Sequence, residues 1–282
     1  LKKGLRKRRK GASLKGLNQS NKVQQGIGAV FSGHEESLKD ELDSLYRQYN
    51  SRRYLQYDPI KYVYGFEDPA EMELVGLFCS ALSFGRVTQI FKAIEALLNI
   101  VETKPFDYVL SLKKRPDNNL LSFKYRFVTG LDVFNLFLSA KKIIEAYGSI
   151  GNFVMMNYSQ GDLPGLMEEV IKAFKGVNYL IPSSLKTSPC KRLFMFFRWM
   201  VRKDNIDLGL WKFISPKELV IPLDTHIFHV SKELGLTSKK TASMNAAVEI
   251  TTGLKRFCNE DPVKYDWALS HIGIIRNNFL TI

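Results

Sequence analysis

From about residue 35 to residue 276, apolar residues recur at intervals of three and four, and no long apolar–polar alternation interrupts them. That period keeps side chains on one helical face, so helices are predicted almost throughout. The stretch 37–50, SLKDELDSLYRQYN, reads as an amphipathic helix. Over 67–85, Asp68 precedes Pro69 and Glu71 follows, the pattern of a capped helix start. The apolar run from Leu74 to Leu82 marks this helix as central and buried. Further helices are predicted over 86–101, 130–148 (closed by Gly148), 162–174, 190–204, 221–236, 237–258 and 261–276. Segment 104–127 reads as a short helix followed by a Pro/Asn turn. Segment 175–189, rich in Ser, Pro and Thr, reads as the longest loop. With no internal repeat and no linker inside 35–276, the expectation is an all-α fold in one helical domain, residues 35–282.

Charge alters this picture mainly at one end. Of the net charge of +13, nine cations and no acid lie in residues 1–22, leaving +4 for residues 23–282. The arm LKKGLRKRRKG has little apolar surface to bury, and residues 1–34 are expected to be disordered. Such an arm can grip phosphates nonspecifically by counterion release, or simply be a solvated tail. No apolar run reaches the roughly 20 residues needed to span a bilayer. No apolar segment with a small-residue cleavage site follows the basic start. The expected setting is therefore intracellular, in cytoplasm or nucleoid, without a membrane partner. Cys79, Cys190 and Cys258 are far apart and form no CxxC pair, which speaks for reduced thiols rather than a zinc or iron–sulfur site.

The densest chemistry lies in IPLDTHIFHVSKELGL, residues 221–236. Pro222 holds the chain extended, Asp224 or Thr225 sits at an N-cap, and Gly235 closes the helix. An aspartate there lies at the positive end of the helix dipole, which favours its ionised form. The plain reading of Asp224 is a cap. The metal reading joins Asp224 to His226 and His229, but no HExxH pattern is present and His34 and His271 are distant in sequence.

The same stretch resembles the motif of helix–hairpin–helix base-excision DNA glycosylases of the endonuclease III type. Their motif is a Val/Leu-Asp-Thr/Val-His core, an apolar helix, then Leu-Gly-Leu. LVGLFCSALSFGRVTQIFKAIEALL, with its Ser80-Ala81 pair, is similar to the early core helix of that fold, and YDWALSHIGIIR to the late helix that packs on the active site. In TSPCKRLFMFF, Lys191 stands where the bifunctional enzymes carry their lysine, although the hairpin glycines are missing. The Lys191–Asp224 spacing and the LVIPLD stretch are closer to the archaeal 8-oxoguanine glycosylase branch. Over roughly residues 35–278 the chain is also similar to an uncharacterised bacterial family, the domain of unknown function numbered 2400.

The resemblance implies a glycosylase-like all-α fold with a divergent hairpin and two helical lobes about a cleft. It implies Asp224 as the carboxylate that stabilises positive charge on the sugar, and Lys191 as a nucleophile forming a Schiff base. The lysine must be neutral to attack, and an apolar setting such as Leu193, Phe194, Phe196 and Phe197 favours that form. A flipped base would stack near Phe194, Phe197 or Trp199, residues whose helical spacing equally fits a core. Phe84 and Arg86 are candidates for intercalation. Arg86, Arg192, Arg198 and Arg202 are read as contacts to nucleic acid, the last three equally as a solvated face. The implied partner is duplex DNA with a damaged base; a monomer without metal is expected, and, since no cysteine quartet follows residue 276, without an iron–sulfur or other cofactor. A noncatalytic nucleic-acid- or protein-binding module on the same fold, and a His/Asp metal hydrolase, are the rivals.

Overall fold

Helices form where an apolar period runs between a capping side chain and a breaker. In a computed structural model that describes residues 35–270, apart from Thr103, Asn178, Thr187 and Ala268, that rule accounts for most of the chain. The basic arm, His34 and the end of the last predicted helix, with His271, lie outside the described residues. The chain divides into two units after Ser44. The described part of the first, residues 35–44, is helical and belongs to α1, Glu35–Tyr49. Lys39 and Asp43 pair across one turn of it at 2.8 Å.

The second unit starts at Leu45 and is mostly helical, so the all-α class holds. It contains α2 (Pro69–Ala81), α3 (Val87–Ile100), α4 (Pro105–Ser111), α5 (Asn118–Ser122) and α6 (Gly130–Tyr147). It continues with α7 (Ile150–Asn157), α8 (Leu163–Ala173), α9 (Lys191–Val201), α10 (Thr225–Glu233) and α11 (Met244–Lys255). Asp68 caps α2 by accepting from the Ala70 and Glu71 amides, and Pro69 occupies the first helical position, where its missing N–H costs nothing. Gly148 ends α6 with a φ of 83°.

Four local features depart from the expected pattern. Lys124–Tyr125 (β1) and Val128–Thr129 (β2) pair antiparallel around the two-residue turn Arg126-Phe127. Strands this short leave no readable alternation. The short α7 is capped by Ser149, and α11 begins only at Met244, where the Ser243 side chain caps it by accepting from the Ala246 amide. Asp261-Pro262 opens a 3-10 turn, Pro262–Tyr265, rather than a capped helix. The Asp261 carboxylate is taken by the Arg202 guanidinium and caps nothing.

α2 is the central element, buried from Glu73 to Ala81, and it packs on α4, α7, α9 and the 3-10 segment Pro59–Gly65. A Cβ at Gly76 would come within 2.5 Å of the Met200 side chain, so glycine there lets α9 lie close on α2. Glu73 is buried, accepting from the Gly151 amide at 2.7 Å and the Trp211 indole at 2.8 Å, which ties α2 to α7. Burial pushes its carboxyl above the usual range, and those two donors partly offset the rise. Cys79 and Cys190 are buried and Cys258 is half-buried, all three as free thiols. No helix among the described residues is long and apolar enough to cross a membrane.

Candidate active site

Two helix starts far apart in sequence meet at the site. The extended segment before α10 is pinned by Ile221, whose amide donates to Thr251 Oγ1 of α11 at 3.0 Å, and by burial of Pro222 and Leu223. This anchoring delivers Asp224 to the N-cap of α10, where its Oδ1 accepts from the Ile227 amide at 2.8 Å. The other carboxylate oxygen, Oδ2, accepts from the Lys191 ammonium at 3.0 Å. One side chain therefore caps a helix and pairs with a cation. Burial alone would raise the Asp224 carboxyl, but the Lys191 charge, the Ile227 amide and His226 outweigh it and hold the group below the ordinary 3.8.

Lys191 is the first residue of α9, and Cys190 before it turns the chain with a left-handed φ of 48°. The Cys190 amide donates to Ser188 Oγ at 3.2 Å, which closes the turn locally. The Lys191 side chain is 35% exposed and that of Asp224 20%. Lys191 lines an open cleft of about 1130 Å³ with the end of α8, the loop residues Val177, Tyr179 and Pro182, and Phe84. Asp224 is not part of that lining and stands one hydrogen bond behind it. Besides Lys191, the lining includes Lys172, Lys175 and Arg192 against a single acid, Glu168, so an anion entering it meets net positive charge.

The four arginines expected at a nucleic-acid surface separate sharply. Arg86 is exposed at the N-cap of α3. Arg192 is half-buried: its guanidinium donates to the Ala81 and Tyr179 carbonyls and lies 5.0 Å from the Phe84 ring centre. It ties the end of α2 to the loop before α9, and burial pushes it down to about 10. Arg198 and Arg202, by contrast, are each only 3% exposed, which corrects both the phosphate-contact and the solvated-face readings. Arg198 pairs with Asp207 and Asp266, and Arg202 with Asp204, Asp207 and Asp261. Phe194, Phe197 and Trp199 are core residues. Phe197 packs edge-on against Trp211 at 5.2 Å.

His226 is half-buried beside Asp224, whereas His229 is exposed with its ring 5.7 Å from that of Phe228. Among the described residues, no group of three or more His, Cys, Asp and Glu side chains could hold a metal ion. Sequence reasoning missed Asp266, whose carboxyl burial pushes up, Arg198 draws down, and the charge of Asp224 raises further. It thus lies within electrostatic reach of the site; its place within the apolar pattern of YDWALSHIG was the signal available. Sequence reasoning also missed the exposed rings of Phe127 and Tyr179. Residues 58–275 match the model of a family described as protein of unknown function, DUF2400. Neither the curated proteins nor the solved structures give a match. That match covers most of the chain, which is therefore a member of the DUF2400 family.

Proposed function

We propose that the protein is a DNA base-excision enzyme that cleaves an N-glycosidic bond, with Lys191 as nucleophile and Asp224 as its carboxylate partner. The observation that carries this reading is the 3.0 Å contact between the Lys191 ammonium and the Asp224 carboxylate, made across 33 positions of sequence at the edge of a cationic cleft. Before attack the amine gives up a proton to water by way of Asp224 Oδ2, which is left ionised. The nitrogen lone pair then attacks C1′ of the sugar. The bond from C1′ to the base breaks and its electron pair leaves with the base, which picks up a proton. Opening of the sugar ring gives a Schiff base between Lys191 and C1′. Positive charge develops on the sugar during departure, and a carboxylate held ionised beside it lowers that barrier. The reading takes the helical unit as glycosylase-like with a divergent hairpin. The connection from α8 to α9 runs from Phe174 to Cys190, much longer than a tight hairpin, and lacks the paired glycines that aim amides at a phosphate.

Borohydride trapping on duplexes with a panel of damaged bases and an abasic site tests it. A covalent adduct is expected with the natural chain and none with Lys191→Ala. Asp224→Asn is expected to slow adduct formation about 100-fold or more. Absence of an adduct on every duplex, abasic included, rejects the Lys191 role. One observation favours a noncatalytic binding module as second reading: Asp224 is engaged by two donors and does not line the cleft. In that case Asp224→Asn leaves affinity unchanged, and a steep loss of binding with salt identifies nucleic acid as the partner.

A further inference from the structure

Three of the four non-glycine residues with left-handed backbone among the described residues belong to one neighbourhood: Arg126, Tyr179 and Cys190, with φ of 54°, 63° and 48°. Bulky side chains rarely adopt this conformation, and such positions gather where the fold needs a side chain aimed a particular way. Cys190 sets up Lys191. Arg126 is the first residue of the β1–β2 turn and Tyr179 lies in the loop between α8 and α9. These two turns carry exposed rings, Phe127 at 54% and Tyr179 at 63%. Their ring centres are 5.0 Å apart, and Phe127 stacks on Phe84 at 5.2 Å with planes 18° apart. Phe84 and Tyr179 both line the cleft that Lys191 lines.

The row of rings is firmly seated. Tyr125, on the inner side of the hairpin, is buried and donates its hydroxyl to the Phe84 carbonyl. Arg192 holds the Tyr179 carbonyl from below. Cations lie close by: Lys124, Arg126 and Arg86 are exposed nearby in the chain, and the Arg126 and Arg192 guanidinium groups lie 6.0 and 5.0 Å from the Phe84 ring centre. Exposed aromatics held rigid among cations, next to a cationic cleft, are the arrangement that binds an unpaired base by stacking and its backbone by charge.

We propose that Phe127 and Tyr179, backed by Phe84, form a stacking platform for an unpaired nucleobase of a nucleic-acid strand at the edge of the Lys191 cleft. This rests on the nucleic-acid part of the reading above and not on Lys191 chemistry. The test uses the full chain and a single-stranded oligodeoxynucleotide carrying one 2-aminopurine, whose fluorescence is quenched by stacking. Saturable quenching is expected. Phe127→Ala and Tyr179→Ala are each expected to weaken binding roughly fivefold or more, the lower end for loss of one stacked ring. Phe127→Tyr should restore affinity and Phe127→Leu should not, which separates stacking from apolar contact. Unchanged melting temperatures across the set exclude misfolding. Failure of the natural chain to bind the oligonucleotide, or affinity equal to the natural chain's in the Phe127→Leu and Tyr179→Ala variants, overturns the platform. A positive trapping result with unchanged quenching in Phe127→Ala rejects the platform and leaves the catalytic reading standing. Quenching without any trapped adduct does the reverse.

Discussion

At its first turn α9 carries Lys191, a third exposed and paired with one carboxylate at the edge of a cleft. At its last turn and cap it carries Arg198 and Arg202, both almost fully enclosed and shared among Asp204, Asp207, Asp261 and Asp266. The helix is the same, but what surrounds the charges differs. The buried set works as internal structure: Arg202 ties the end of α9 to the Asp204–Asp207 turn and to the segment before Pro262. Its planar fork suits several carboxylates at once. Lys191 is a single flexible point charge with a route to solvent, which is what a reacting group needs and a strut does not. The acids differ as well: burial pushes Asp207 up to about 6, whereas Asp224 is held below its ordinary value.

The largest effect should come from the buried end. Asp207→Ala leaves two enclosed guanidinium groups short of a partner, and breaking such a pair costs about 3–5 kcal/mol. Urea unfolding should show that loss; a cost below about 1 kcal/mol would place these arginines in water. The exposed end should behave differently. Asp224→Ala removes a cap and costs about 1 kcal/mol, whereas Asp224→Asn keeps a good cap and should unfold within about 0.5 kcal/mol of the natural chain. If Asn is as costly as Ala, the ion pair rather than the cap carries the stability of Asp224, and the contrast between the ends weakens.

Legibility in the sequence followed the range of the interaction involved. Asp68, Gly148 and Asp224 act within one helical turn of themselves, so residue type and position announced them. The central burial of α2 was legible from its apolar run for the same reason. Arg198 and Arg202 were misread because they stand four apart and form what looks like a charged stripe on α9, while their acids lie outside that helix, as far as Asp266. The pairing of Lys191 with Asp224 came from a resemblance and not from spacing, since nothing local links two helix starts 33 positions apart. The hairpin escaped because two-residue strands carry no period, and with it went Phe127. Tyr179 sat in a loop read correctly as a loop, which says where the chain is irregular but not which side chains it presents.

The smallest effect is a difference in acid. The folded Asp224 carboxyl lies below its ordinary 3.8, so its stabilising contribution is complete above that value and is lost as pH falls through the lower folded one. The stability difference between the natural chain and Asp224→Asn should therefore be flat from about pH 8 to about pH 5 and drift towards the variant only below about pH 4. Its size should stay within about 1 kcal/mol, because the Lys191 ammonium is a third exposed and water screens the pair. Taking the difference cancels the titration of Asp207, which both chains share, but not that of Asp266, which the Asp224 charge raises. Urea denaturation across that range measures it. A difference that moved between pH 7 and pH 5 would mean a carboxyl raised rather than lowered, with Lys191 turned away from it in solution. The Lys191 amine of the proposed mechanism would then lack the acceptor that the 3.0 Å contact supplies.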